Sequence, residues 1–265
     1  MKLAIVLLAL VCGAHSLTLP RLKAAFSSGD IIDGHEAQPG EAPFIVSLEF
    51  LGSHFCAGSI IDEDTILTAG HCLAYPASLI NVKAGKHLRS DNVGVQSAKA
   101  SRVIVHPLYD NGVGPNDIGL IKLATPFDLN TLRSGNPVGS VKLPNGQYSS
   151  AGDGVLYGWG MDRSSNLPNA LQKLDTRIIE FAECKRELPG DAPIDPVNIC
   201  SHHKGENLYE GACNGDSGGP LVTVTSAGVE QVGIVSWGYT PCATSTYPSV
   251  YTRVASYIDW INANK

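Results

Sequence analysis

The sequence holds no Asn-x-Ser/Thr acceptor for N-linked sugar, no Cys-x-x-Cys or His-x-x-x-His pair, no internal repeat, no low-complexity tract and no coiled-coil heptad. The missing ligand spacings argue against zinc as the reason for its cysteines. Basic residues are also scarce, 19 Lys and Arg against 25 Asp and Glu, for a net charge of −6. The first 30 residues carry three bases (Lys2, Arg21, Lys23) and one acid (Asp30), so the remainder is still more negative. Nucleic-acid binding needs a basic face and is argued against on this ground; the acidity reads as solubility. Nor is any apolar run close to the roughly 20 residues of a bilayer span.

The longest apolar run, Leu3–Cys12, follows Lys2 and precedes Ala14-His15-Ser16. A basic start, an apolar stretch of about ten residues and small residues at a cleavage site make residues 1–16 a secretory signal peptide. A secreted, extracellular protein follows. Residues 17–30, LTLPRLKAAFSSGD, read as a short removable pro-segment. Cys12 leaves with the signal, and Cys56, Cys72, Cys184, Cys200, Cys213 and Cys242 remain. Six cysteines in an oxidising compartment imply three disulfides, in any of fifteen pairings.

From Ile31 onward, short β-favouring runs recur between Gly, Pro, Asn and Asp clusters: FIVSLEF, SIIDEDTILTA, INVKAG, SRVIVH, IGLIKL, GVLYGWG, LQKLDTRII, GPLVTV, QVGIVSWG and SVYTRV. Many short strands with turn signals predict an all-β sandwich or barrel. Thr131–Ser150, rich in Gly, Pro, Asn and Ser, divides them into two halves as a candidate linker. Only the end shows helical spacing, with Val254, Tyr257, Ile258 and Ile261 at i, i+3, i+4 and i+7.

Three segments carry chemistry-bearing residues: LTAGHC with His71, NDIGLI with Asp117, and GACNGDSGGP with Ser217. Each alone reads as readily as a packed His, a turn-capping Asp or a turn Ser. In this order, His then Asp then Ser, they resemble the signature motifs of the chymotrypsin/trypsin-like serine proteases. The resemblance runs from IIDG at Ile31 to the terminal helix and includes HFCAGSII, GWG at Gly158–Gly160 and SWG at Ser236–Gly238.

That resemblance implies two six-stranded antiparallel β-barrels packed together (about 31–140 and 150–252), an active site in the cleft between them and a C-terminal helix at about 254–263. It implies a serine endopeptidase with Ser217 as nucleophile, His71 as general base and acid, and Asp117 orienting the His71 ring. Backbone N–H groups of Gly215 and Ser217 would form the oxyanion hole. The implied disulfides are Cys56–Cys72, Cys184–Cys200 and Cys213–Cys242. The implied activation joins a new N-terminus at Ile31 to Asp216 after a cut; Asp30 stands before that bond where most relatives carry Arg or Lys, so either a protease other than trypsin acts there or Lys23 is cut first and trimming follows. Family members commonly have Ala at Gly70 and Gly119 and Gly at Ala57, and lower rigidity, not inactivity, is expected at the two glycines.

At the floor of the implied specificity pocket, where trypsin-like members have Asp, this chain has Gly211. Gly238 leaves the mouth open and Ser249 shortens the deep end. Arg and Lys should therefore be poor substrates, and cleavage after uncharged apolar or aromatic residues is expected; an elastase-like preference for small residues is the alternative. Backbone at Ser236 and Gly238 would pair with an extended substrate. No cofactor is expected: Lys86 stands where some relatives place an acid ligand for calcium, and His202-His203 read as a polar surface loop rather than a metal site. The expected partners are protein and peptide substrates, an activating protease and protein inhibitors of proteases, for a monomer with no membrane or nucleic-acid partner. The short pro-segment favours a digestive role over a place in a regulatory cascade. A lectin-like binding protein on the protease fold is the competing class.

Overall fold

The structure is a computed structural model that describes residues 31–265 apart from 33, 130–131, 134–135, 146–150, 163–164, 205–208 and 227. The predicted signal peptide and pro-segment lie outside the described residues.

The ten apolar runs of the sequence supply eleven of the twelve barrel strands, and the twelfth, Asn198–His202, lies outside them. Six close the first barrel in the order Ile45–Phe50, Ser53–Asp62, Thr65–Thr68, Gly119–Leu123, Gln96–Val105 and Ile80–Ala84, all antiparallel. The single run SIIDEDTILTA is a hairpin, because Glu63 and Asp64 turn the chain between two strands. The second barrel runs Gln172–Ile179, Gly152–Gly158, Pro220–Thr225, Gly228–Trp237, Ser249–Arg253 and Asn198–His202, and the last strand pairs back to the first. Closure leaves neither barrel an open edge of unpaired backbone. Among the described residues, no helix is long and apolar enough to cross a membrane.

Alternation of inward and outward side chains builds each core. Val46, Leu48, Ile60, Ile66, Ile80, Val82, Leu120 and Ile121 fill the first barrel. Leu156, Leu174, Ile178, Ile199, Leu221, Val232, Val235 and Tyr251 fill the second. A third cluster, with Ile45 from one barrel and Trp159, Tyr157 and Val222 from the other, joins them. The candidate linker is part of this seam. Its described residues include buried Val138 and Val141, with Val141 N–H bonded to Ile60 O and Lys142 O accepting from Gln231 N–H, each at 2.9 Å.

The boundary expected at residue 31 needs correction. His35–Glu36 pairs with Gln172 and Lys173, and Ile31 packs in the second core, so the opening segment straps the second barrel. The final helix does the reverse, packing Val254, Tyr257 and Ile261 against the first. That helix also starts differently from the expected span: Val254–Tyr257 is a 3₁₀ turn, and the α-helix is Ile258–Asn264. A further helix, Phe181–Glu187, is under two turns and gave no periodicity to read. His202 is the last residue of a strand rather than part of a loop, with Nε2 3.0 Å from Glu187 Oε2.

Lys86 and Glu49 form an ion pair of 2.8 Å, with side chains only 4% and 9% exposed, and the ammonium also donates to Arg89 O at 2.6 Å. Removing one member of such a pair strands a buried charge, whereas removing both does not. On a Ser217→Ala background, Lys86→Met should lower urea-unfolding stability by about 3 kcal/mol, and Lys86→Met with Glu49→Met should restore it to within about 1 kcal/mol of the parent. Equal losses in the single and the double variant would contradict this account.

Candidate active site

His71 lies in the short 3₁₀ turn Gly70–Leu73 after the strand Thr65–Thr68, and Cys72 beside it is bridged to Cys56. A His71 ring nitrogen and the two sulfurs lie within 4.8 Å of one another. Both sulfurs belong to the disulfide, so the grouping fixes the imidazole rather than offering thiolates to a metal. The other two bridges are Cys184–Cys200 and Cys213–Cys242, so all three pairs are those the resemblance implied.

Asp117, 2% exposed, is held from four directions. Its Oδ2 accepts from His71 Nδ1–H at 2.8 Å and from Ser236 Oγ–H at 2.6 Å, and its Oδ1 accepts from His71 N–H at 2.9 Å. Thr252 Oγ1–H donates to its backbone carbonyl at 2.7 Å. The preceding Asn116 has φ of 64°, and its Oδ1 accepts from Tyr257 O–H at 3.0 Å, which ties the turn to the terminal segment. Burial works against a charged His71, but the charge and hydrogen bond of Asp117 outweigh it and raise the pKa above the ordinary 6.5. Nδ1 carries the proton given to Asp117, so Nε2 of the neutral ring is left as an acceptor.

The space at Gly70 and Gly119 is filled. A methyl on Gly119 would run into Leu73 Cδ1, and one on Gly70 would come within 3.0 Å of the Tyr109 ring and 3.3 Å of Asp117 Oδ1.

Ser217 reaches the same place from the second barrel. Its carbonyl accepts from Ala57 N–H at 2.8 Å, and Ala57 adjoins Cys56, so Ser217 and His71 are anchored to one disulfide. Ser217 Oγ is buried with no hydrogen-bond partner. Among the described hydrogen bonds, neither Gly215 N–H nor Ser217 N–H has an acceptor, an unusual state for backbone donors in a folded loop. Gly215 has φ of 96°, which only glycine adopts without strain.

His54 holds this loop from the first barrel. A carbonyl only accepts, so His54 Nε2–H donates to Gly215 O at 3.1 Å, and Nδ1 accepts from Ser47 Oγ–H at 2.8 Å. Burial lowers the His54 pKa to about 4, which keeps the ring neutral. Sequence reasoning gave no role to His54, Ser47 or Thr252, although His54 lies inside the quoted HFCAGSII, and it read Tyr257 only as part of the apolar face of the terminal helix.

Asp216 is fully buried behind the loop. Its Oδ1 accepts from Gly160 N–H at 2.9 Å and Oδ2 from Cys213 N–H at 3.1 Å. A side chain on Gly158 or Gly160 would collide with its carboxylate, which accounts for the glycines of the GWG stretch. Burial raises the Asp216 pKa to about 7, against the pull of those two N–H groups. Ile31 is buried as well, and Ile32 forms a β-bridge with Gly211, donating to Gly211 O at 2.9 Å. Ser249 lies against Gly211: its Oγ accepts from Ala212 N–H at 3.1 Å and stands 2.7 Å from where a Cβ on Gly211 would be. Ser236 sits at a register shift between Val235 and Trp237, out of the ladder with the neighbouring strand, and Gly238 follows that strand.

Known proteins bear on this geometry directly. The chain is 54% identical to Lectizyme of Glossina austeni over 90% of its own length and 88% of that protein's. It is 40% identical to Trypsin Blo t 3 of Blomia tropicalis, over 93% and 90%, and 36% identical to Trypsin-1 of Astacus astacus, over 88% and 99%. The family model described as Trypsin matches residues 31–261. With its two closed barrels and three disulfides, the chain belongs to the trypsin family of serine proteases.

Proposed function

We propose that the protein is a secreted serine endopeptidase in which Ser217 attacks the scissile carbonyl, and that it cleaves after uncharged apolar or aromatic residues. The observation that carries this reading is the His71–Asp117 pair, with Nδ1–H committed to a buried, multiply held carboxylate, together with a buried Ser217 hydroxyl that has no hydrogen-bond partner and a backbone tied through Ala57 to the disulfide at His71. His71 Nε2 takes the Ser217 proton as Oγ bonds to the carbonyl carbon. The oxyanion meets the free N–H groups of Gly215 and Ser217. As the C–N bond breaks, Nε2 returns the proton to the departing amine, leaving an acyl ester on Ser217. Water then repeats the sequence, with His71 again as base, and the acid product leaves.

Gly211, Gly238 and Ser249 form the pocket, and backbone at Ser236 and Gly238 receives the acyl half of the substrate. A guanidinium or ammonium would enter a pocket with no carboxylate at Gly211, at a desolvation cost that apolar side chains do not meet. Ser249 takes the depth, which favours Phe, Tyr, Leu and Met. The Asp30–Ile31 cut gives an ammonium that pairs with Asp216, and the proposed role is digestive. The name Lectizyme, borne by a relative, favours one addition, a sugar-binding activity on the same fold; binding that survives Ser217→Ala would be that activity rather than proteolysis.

On the processed enzyme, Phe and Leu peptide amides should exceed Arg by about 100-fold or more in kcat/KM. Gly211→Asp alone should not create Arg cleavage, because Ser249 Oγ occupies the start of the new side chain; Gly211→Asp with Ser249→Gly should. Arg as the best substrate of the unmodified enzyme would overturn the pocket assignment. The pH profile is a separate check. Activity should rise with pH as His71 loses its proton, above the ordinary 6.5. Asp117→Asn removes the charge that raises the His71 pKa and leaves the burial that lowers it, so the acid limb should move to lower pH. The rate should fall on the order of 10⁴, the figure for the family's own template. An acid limb that stays in place would contradict the assignment.

A further inference from the structure

The pair His202-His203 has no part in the chemistry above, and its setting is not the polar loop that the sequence suggests. His202 ends the strand Asn198–His202, and Thr176 Oγ1–H donates to its carbonyl at 2.8 Å, so its backbone is fixed. The strand stops there and His203 no longer turns to the opposite face: the two rings lie 3.9 Å apart between centroids. His202 Nε2 stands 3.0 Å from Oε2 of Glu187, the last residue of the helix Phe181–Glu187. His203 Nδ1 is buried and makes no hydrogen bond among the described residues, a state that needs an explanation in a folded chain.

One covalent bond sets the spacing of these donors. Cys200, two residues before His202 on its strand, is bridged to Cys184, three residues before Glu187 on its helix. Residues two apart on a strand share a face, and residues three apart on a helix do so too. The disulfide and the His202–Glu187 contact are therefore successive links between the same two elements. The bridge fixes the imidazole against the carboxylate before any ligand arrives. Arg177, opposite His202 in the sheet, would repel a cation, but its guanidinium is committed to Glu183 Oε1 at 2.8 Å. Lys204 is likewise paired, with Asp153 at 2.9 Å. The side chains of His202 and Glu187 are 10% and 33% exposed, sheltered yet open to an ion from solvent.

Two imidazoles and a carboxylate are a donor set for zinc, with a fourth position left to water. Ligand atoms about 2.1 Å from one tetrahedral ion stand about 3.4 Å apart, close to the present separation of His202 Nε2 and Glu187 Oε2. An ion takes the place of the proton between them, and the neutral His202 ring then carries its own on Nδ1. The third donor has to move. Among the described residues, the three-donor group already within 4.8 Å is the one at the Cys56–Cys72 bridge, so the His203 ring must turn off its stack to reach the ion. We infer that His202, His203 and Glu187 form a binding site for a divalent transition-metal ion of the zinc class, which pins the helix Phe181–Glu187 to the end of the strand Asn198–His202. Ser201 of that strand pairs with Ser249, so the ion braces the strand behind the proposed pocket. The site stands apart from the proteolytic reading, since no bond need be cut for the ion to bind.

Calorimetric titration of zinc chloride into the chain carrying Ser217→Ala tests it, with melting curves on the same samples. About one ion per chain should bind, and saturating zinc should raise Tm. His203→Asn removes a ring whose Nδ1 has no hydrogen bond to lose, so the metal-free Tm should hold. Its zinc affinity should fall about tenfold or more, at least the loss that an outer-shell partner brings. Glu187→Gln should weaken binding in the same direction. His35→Asn, at an exposed histidine of the opening strap, should leave affinity unchanged. No zinc binding by the parent overturns the inference. Binding that survives both His203→Asn and Glu187→Gln also overturns it, and places the ion elsewhere, His71 included. A loss in His35→Asn equal to that in His203→Asn marks capture by surface histidines and overturns it too.

Discussion

A carboxylate that water does not reach lies at the centre of this molecule. Asp216 has two backbone N–H donors, Gly160 and Cys213, and walls of glycine that leave no room for side chains. Burial raises its pKa to about 7. The sign of the consequence is fixed by that direction. Below the ordinary carboxylate range the group is neutral in both folded and unfolded chains and its burial is without penalty; as pH rises toward about 7, the unfolded chain ionises freely while the folded one resists, and stability is lost. Two N–H groups do not compensate a full buried charge. A cation does, and the proposed ammonium at Ile31 is the cation nearest in the logic of the chain, since Ile32 already bridges Gly211 and Asp216 adjoins both Gly215 and Ser217.

The rest of the site depends on two barrels being held as one body. Each is strapped by a segment from the other end of the described chain: Ile31–Glu36 on the second and Val254–Asn264 on the first. Asp117 and His71 are first-barrel residues, yet Ser236 and Thr252, which fix Asp117, are second-barrel residues. Ser217 is a second-barrel residue anchored to first-barrel Ala57, and His54 reaches across to Gly215. Asp117, Ser217 and the Gly215 loop are therefore each held from both sides of the seam. Preorganisation of this kind, with donors and charges fixed before substrate arrives, is what lowers a barrier that passes through a developing oxyanion.

Much of this was legible in the sequence. The strand runs gave an all-β class and the cysteine set gave three bridges in any of fifteen pairings; the two barrels, the actual pairings and the grouping of His71, Asp117 and Ser217 came from the resemblance that the three motif segments carry. What escaped has physical reasons. Asn198–His202 is five residues ending in a polar pair, too short to show alternation beside a Pro-rich loop. The hairpin inside SIIDEDTILTA is turned by acids rather than by Gly or Pro. His54 and Tyr257 act through partners more than 100 residues away in the chain, and no local spacing encodes such pairs. That Leu73 and Tyr109 fill the space at Gly119 and Gly70 was not legible either, because packing depends on neighbours that the local sequence does not name.

The central claim is that the Asp30–Ile31 cut, acting through Asp216, makes Ser217 a nucleophile. Labelling with a fluorophosphonate, followed by peptide mass spectrometry, tests it most directly when uncut chain and chain cut at Ile31 are compared at equal concentration. The account predicts label on Ser217 in the cut chain at a rate far above that of the uncut chain, and its loss in Asp216→Asn. Equal labelling of Ser217 in cut and uncut chains would contradict it.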